Sequence, residues 1–249
     1  MKNLLTLIFL FFSITLTSQI LNVESLRKVT DTSGFTGSAG VGFSFKKDLN
    51  TFYELGSDIH VQYKMKKHLV LWKNDLNLKS IEGNRFQNSG VSHLRYNYRF
   101  HPRVGWEIFL QAQYNKVAKI NFRGLLGTGP RFKLTDSEDY KVYFGTHIML
   151  EQEELDDEVT PVQRDFRSTS YLSLSLHPTD RISIVSTTYF QPKIKKFNDF
   201  RLSSETSLAI NLFSNFAFTT SYSFIYDQSP AVGIPPSQHT LKNGLAYTF

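Results

Sequence analysis

The feature that most constrains this chain is alternation of apolar and polar residues with a period of two. From Phe35 to Phe45 the odd positions carry Phe35, Gly37, Ala39, Val41, Phe43 and Phe45, and the even positions carry Thr36, Ser38, Gly40, Gly42 and Ser44. Successive side chains of an extended strand point to opposite faces, so this pattern gives one apolar and one polar face. It returns at 52–64, 69–81, 90–100, 106–116, 124–134, 140–150, 166–176, 182–190, 200–212, 216–226 and 239–249. No segment keeps a helical period. Most of these stretches run to about 9–13 residues, the length of a tilted membrane-crossing strand and roughly twice that of an ordinary soluble one. The expected fold is all-β: a single antiparallel transmembrane β-barrel of about 12 strands. Pro130 weakens the sixth segment, because it cannot donate to a ladder.

Composition agrees. Mean hydropathy is slightly negative at −0.26, yet aromatic residues make up 14% of the chain. A helical membrane protein needs apolar runs of about 20 residues, and none follows the N-terminal region. A barrel looks soluble on average because every second residue faces its interior. There is no Cys, which removes disulfides and thiolate metal sites. The formal charge of +6 is scattered along the chain, which argues against a nucleic-acid surface.

Both ends carry address-like signals. Lys2 precedes an apolar run from Leu4 to Ile14 and a small polar patch, Thr15–Ser18. That run is too short to span a bilayer as a helix and reads as a secretory leader over residues 1–18. A short periplasmic segment, 19–32, and a barrel over 33–249 are expected to follow. The chain ends Leu245-Ala246-Tyr247-Thr248-Phe249. Tyr247 and the terminal Phe249 resemble the sorting signal that the barrel-assembly machinery reads as an edge strand. With a periplasmic N-terminus, the turns Met65–His68, His101–Arg103, Thr135–Asp139, Pro178–Arg181 and Phe213–Asn215 fall on the periplasmic side. The longer stretches Glu82–Asn88, Glu151–Asp165, Lys193–Asp199 and Asp227–Gln238 fall outside. This short–long alternation is that of bacterial outer-membrane barrels, with Lys46–Asn50 its weakest fit. The cell outer membrane of a Gram-negative envelope is the expected location, and its lipid and lipopolysaccharide the expected surroundings.

Three stretches carry a family resemblance: Thr30-Asp31-Thr32-Ser33-Gly34-Phe35-Thr36-Gly37-Ser38-Ala39-Gly40, then Tyr96-Asn97-Tyr98-Arg99-Phe100-His101-Pro102-Arg103 with Trp106, then Arg123-Gly124-Leu125-Leu126-Gly127-Thr128-Gly129. With them the mature chain resembles the uncharacterised family of salt-induced outer-membrane proteins. The resemblance implies the barrel fold and carries no catalytic residues.

Lipid-modifying barrel enzymes need a Ser–His pair with an orienting third group. Ser92 and His93 are adjacent, so a strand sends them to opposite faces. The acids Glu151, Glu153, Glu154, Asp156, Asp157 and Glu158 have no calcium-loop spacing and read as a solvated outer loop. Gly127-Thr128-Gly129 lacks the lysine and helix of a phosphate loop. Neither an enzyme nor a cofactor or metal site is expected.

The remaining chemistry is the lumen. The polar faces place there Glu54, Asp58, His60, Lys64, Lys73, Asp75, Lys79, His93, Arg95, Arg99, Glu107, Arg131, Lys133, Lys141, His147, Arg201, Glu205 and Lys242. In this set basic residues outnumber acidic ones by ten to five. The set either pairs across the interior as a plug or lines a pore with an anion preference. The first expectation is a non-enzymatic channel or envelope-stress protein, with Arg95, Arg99 and the acids Glu107 and Glu205 at its centre. The alternatives are a lipid-modifying enzyme and a soluble secreted β-protein that binds a ligand. Oligomeric state stays open.

Overall fold

The computed structural model describes residues 33–47, 51–81, 84–135, 137, 139–156, 161–213 and 216–247. The leader, the segment 19–32 and Phe249 lie outside the described residues. Twelve strands follow one another: β1 (Gly34–Lys47), β2 (Thr51–Met65), β3 (His68–Ile81), β4 (Asn84–His101), β5 (Val104–Asn115), β6 (Ile120–Lys133), β7 (Tyr140–Leu155), β8 (Gln163–Thr179), β9 (Ile182–Lys193), β10 (Lys196–Phe213), β11 (Phe216–Asp227) and β12 (Ser237–Tyr247). Each pairs antiparallel with its neighbour in sequence, in one sheet ordered β1 to β12. We call the end where β1 begins the near end and the other the far end.

The sheet is rolled. Arg201 of β10 reaches Glu151 of β7, and Tyr171 of β8 reaches Glu107 of β5. Glu205 of β10 lies within electrostatic reach of both Lys242 of β12 and Lys73 of β3. In a flat sheet, strands three apart lie about 14 Å from one another and β3 and β10, seven apart, about 34 Å; rolling the sheet into a barrel brings their inner faces together.

The outer surface is apolar. One lateral row of partners runs Val61, Trp72, Leu94, Leu110, Leu126, Leu150, Phe166 across β2 to β8. Leu110 is 55% exposed and Ile148 61%. Aliphatic side chains hold the middle of this surface. Exposed aromatic rings mark its ends: Tyr63, Tyr98, Phe100, Trp106 and Tyr140 at the near end, Phe45, Tyr53, Tyr114, Phe122 and Phe166 at the far end. This is the banding of a bilayer-spanning surface. Outward hydroxyls within it are bonded in lateral pairs: Ser170 to Thr146, Ser186 with Thr206, and Thr188 with Ser204. Each group therefore meets lipid with a hydrogen bond already made.

Two expectations are corrected. The stretch Glu151–Asp165 is not an open acidic loop. β7 runs on to Leu155 and β8 starts at Gln163, with Glu151 paired to Asp165 and Glu153 to Gln163. The alternation of connection lengths is also weaker than expected. Two of the far-end connections, 82–83 and 194–195, are two residues each, whereas 134–139 at the near end is longer. Both corrections have one cause. β4, β7, β8, β9 and β10 extend three to six residues past the apolar alternation at their far ends. Beyond the lipid band, outward residues become polar, as at Gln152, Glu154 and Arg164, so the hydropathy signal fades. The backbone ladder does not depend on it and continues. At Pro130 the β6–β7 pairing skips from Thr128↔Ile148 to Arg131↔Gly145, the expected weak point.

Candidate functional site

The inward faces of β4 to β10 fill much of the lumen, and their charges gather into two knots. The first centres on Glu107 of β5, which is fully buried. Its Oε2 accepts hydrogen bonds from the Tyr171 hydroxyl at 2.9 Å and the His147 Nε2 position at 3.2 Å, with an Arg95 nitrogen at 3.7 Å. Its Oε1 accepts from the Asn97 amide and has Arg131 Nε at 3.6 Å. Arg131 Nε also donates to the Tyr171 oxygen at 3.0 Å, and its guanidinium lies 3.7 Å from the centre of the Tyr143 ring. One carboxylate thus holds β4, β5, β6, β7 and β8 together.

The second knot lies towards the far end. Glu151 accepts from Arg123 Nε at 2.6 Å, Arg167 Nε at 2.5 Å and an Arg201 nitrogen at 2.5 Å. Arg201 also donates to Glu153 at 2.8 Å and to Asp227 at 2.6 Å. Arg123 and Arg167 are among the largest fully buried side chains. Charges so deeply desolvated persist only when paired, and here each guanidinium meets a carboxylate.

A row of rings shares His147 and Tyr171 with the first knot: His93 on Phe109 (5.8 Å), Phe109 edge-on to His147 (5.7 Å), His147 on Tyr171 (5.7 Å) and Tyr171 beside Tyr189 (5.3 Å). Leu125 and Met149 complete a buried apolar cluster inside the barrel. Two glycines make room for it. A Cβ at Gly127 would sit 2.3 Å from the Phe109 ring, and one at Gly145 would sit 2.2 Å from the Tyr171 ring.

At the far mouth, the β11–β12 connection folds across the opening. Lys119 Nζ donates to the Val232 carbonyl at 2.8 Å, and Ala231 is buried. The β5–β6 and β11–β12 connections are six strands apart in a ring of twelve, so this strap spans the mouth from side to side. Beneath it lies a cleft lined by Ala118, Ile120, Leu155 and Ile225 with Glu153, Arg201 and Asp227.

Of the sequence-expected lumen residues, Arg95, Glu107, Arg131 and His147 meet in the first knot and Arg201 in the second. His93 is buried, with Nδ1 2.9 Å from the Gln111 oxygen. Lys73 bridges Asp58 and Asp75 on the other side of the lumen, and His60 is buried beside them on β2. Glu205 lies within electrostatic reach of Lys242 and Lys73. Arg99 sits exposed at the near rim. Ser92 and His93 do point apart: the Ser92 hydroxyl accepts from the outward Trp72 indole at 3.1 Å.

Arg123, Arg167, Glu151 and Glu153 were missed, and so were the inward Phe109, Leu125 and Met149. The first four lie at strand ends or beyond the apolar pattern. The last three are apolar residues on a face that alternation marks as polar. Extending each strand's parity past its apolar stretch would have found Arg123, Glu151, Glu153 and Arg167.

Residues 53–249 match the protein family described as "Protein of unknown function, DUF481". The chain belongs to this family. Among solved structures, the NanC porin superposes with a TM-score of 0.50 at 11% identity, covering 85% of this chain and 99% of that one. The KdgM porin gives 0.46 at 8% identity, covering 85% and 99%. The translocator domain of the autotransporter NalP from Neisseria meningitidis gives 0.45 at 9%, covering 91% and 92%. No curated protein matches the chain in sequence. At such identities the NanC likeness is one of fold, and the fold is the antiparallel barrel of outer-membrane porins.

Proposed function

We propose that this family member is a non-catalytic, channel-like barrel of the bacterial outer membrane, with its lumen held closed by the Glu107 and Glu151 knots. The observation that carries this is the pairing of a banded apolar exterior with an interior whose ionisable groups bond to one another across strands. In a lumen, such ion pairs separate when water and ions enter, which makes them a natural gate. Residues 1–18 serve as the export leader, 19–32 as a periplasmic lead-in, and Tyr247 with Phe249 as the assembly signal. The near end then faces the periplasm, and the belt contacts outer-membrane lipid and lipopolysaccharide. A role under salt stress follows from the family resemblance and fits a gate made of screenable ion pairs.

The test is conductance of the folded full chain in planar bilayers. Low or brief conductance is expected for the unmodified protein, and a higher open fraction for Glu107→Gln. A folded preparation in which neither protein ever conducts refutes the reading.

A further inference from the structure

One sector of the near rim carries its bases at the turn tips, above the apolar belt. The β2–β3 turn presents Lys66 and Lys67, and the β4–β5 turn presents His101 and Arg103, all exposed. Both turns are held in place. The Lys66 N–H bonds the Ser33 hydroxyl at 3.3 Å, the Lys67 carbonyl accepts the Arg99 N–H at 2.8 Å, and the Arg103 carbonyl accepts that of Lys133 at 2.8 Å. On the belt side of these tips runs a lateral row of outward residues, Met65, His68, Tyr98 and Trp106. The His68 ring stacks on Tyr98 at 5.0 Å, and its Nδ1 lies 2.7 Å from the Tyr96 hydroxyl. Tyr63 and Phe100, also outward, are exposed. Among the described residues, the outward faces of β2 to β5 at this end and the two turns hold no carboxylate. The described acids of the near-end connections, Asp139 and Asp180, stand between β6 and β7 and between β8 and β9.

We infer that this sector of the near rim is a docking surface for an anionic phospholipid headgroup. The aromatic row ends the apolar belt, at the level where acyl chains give way to headgroups. Arg103 lies three residues beyond Trp106, about 10 Å along a tilted strand, which puts its charge at the depth of lipid phosphates. Lys66 and Lys67 follow directly on Met65 and precede His68, so their ammonium groups reach the same layer. A zwitterionic headgroup carries a cation that offsets its phosphate. A headgroup of net negative charge has none, so a rim of bases without acids selects it. The inference rests on the bilayer-spanning reading above and names the lipid class that the near edge of the belt recognises.

The test uses the folded full chain carrying Trp72→Phe, which leaves Trp106 as its one tryptophan, in phosphatidylcholine vesicles. Bromine on an acyl chain quenches an indole only on contact. Brominated phosphatidylglycerol and brominated phosphatidylcholine, each added in turn, therefore report which lipid lies against this edge. Phosphatidylglycerol is expected to be preferred about fivefold at low salt, the effect of one well-placed base at an anionic surface, and less so at high salt. Replacing both lysines, Lys66→Gln with Lys67→Gln, is expected to bring the two lipids close to parity. Lys116→Gln, in the exposed far-end β5–β6 turn, is expected to leave the preference unchanged. Heat-modifiable migration on gels checks that every variant is folded. Equal quenching by the two lipids overturns the inference, as does a preference that survives the double lysine replacement or is lost equally in Lys116→Gln. Quenching by neither lipid would sink the bilayer-spanning reading as well, whereas equal quenching leaves that reading standing and removes only the headgroup selectivity.

Discussion

Replacing Glu107 with alanine takes one carboxylate from the centre of the barrel and leaves the guanidiniums of Arg95 and Arg131 facing each other. The cost follows from the geometry. Glu107 is fully buried and Arg95 nearly so, at 0% and 1% side-chain exposure, so water does little to screen them. Removing one partner of a buried ion pair costs about 3–5 kcal/mol, because a desolvated charge is left behind. The Tyr171 hydroxyl, the Asn97 amide and His147 lose an acceptor as well. These losses overlap, so about 4 kcal/mol is the expected total, or roughly a thousandfold in the folding equilibrium. Reversible urea unfolding in lipid vesicles would measure it. The fluorescence of Trp72 and Trp106, both outward on the apolar surface, reports insertion. A loss below about 1 kcal/mol would refute the argument, since that is the worth of a solvated ion pair; the lumen would then be full of water. A second variant guards the inference. Adding Arg95→Met to Glu107→Ala should recover part of the loss, because an apolar side chain replaces a stranded charge.

Gly127→Ala should destabilise the barrel by about 1–3 kcal/mol, because its methyl group falls 2.3 Å from the Phe109 ring; Phe109→Leu in the same chain should recover part of it in the same unfolding assay. Glu151→Gln should cost at least about 3 kcal/mol while Glu154→Gln, three positions along the same strand and outward, should change stability by less than about 0.5 kcal/mol; similar effects would mean that both face solvent. Leu110→Arg, in the middle of the apolar belt, should cost about 2–4 kcal/mol in vesicles, and a neutral result would argue against a bilayer around it. Lys119→Met should speed protease cleavage within 228–236 without altering the unfolding midpoint, and unchanged cleavage would show that this contact does not hold the strap.

The sequence made the strand count, strand order and outer face legible, because a bilayer imposes a strict rule on every second residue. Leu94, Leu110, Leu126 and Leu150 obey it and were assigned correctly. The interior obeys no such rule. Phe109 and Met149 lie on the lumen side because neighbouring glycines and rings leave them space, which alternation cannot report. Glu151 looked like part of a loop because its outward neighbours Gln152 and Glu154 are polar. Its role depends on Arg123, Arg167 and Arg201, residues 28, 16 and 50 positions away. Parity marks single lumen residues but does not pair them: the links from Glu151 to Arg123, Arg167 and Arg201 cross strands that alternation treats separately.

The strap across the far mouth also sets an order of assembly. The Glu107 knot draws on β4 to β8 alone, with its longest link spanning 64 residues. The Glu151 knot needs Arg201 of β10. The strap joins Lys119 to Val232, a separation of 113 residues, and cannot form until β11 and β12 are in place. Contacts this distant in sequence are the slowest to be made. The barrel is thus sealed from its middle outward, and its far mouth stays open to water until the last hairpin arrives. A chain stalled before that step would display a hydrated, partly formed lumen, a species that pulse-labelling of residues beneath the strap would single out in time.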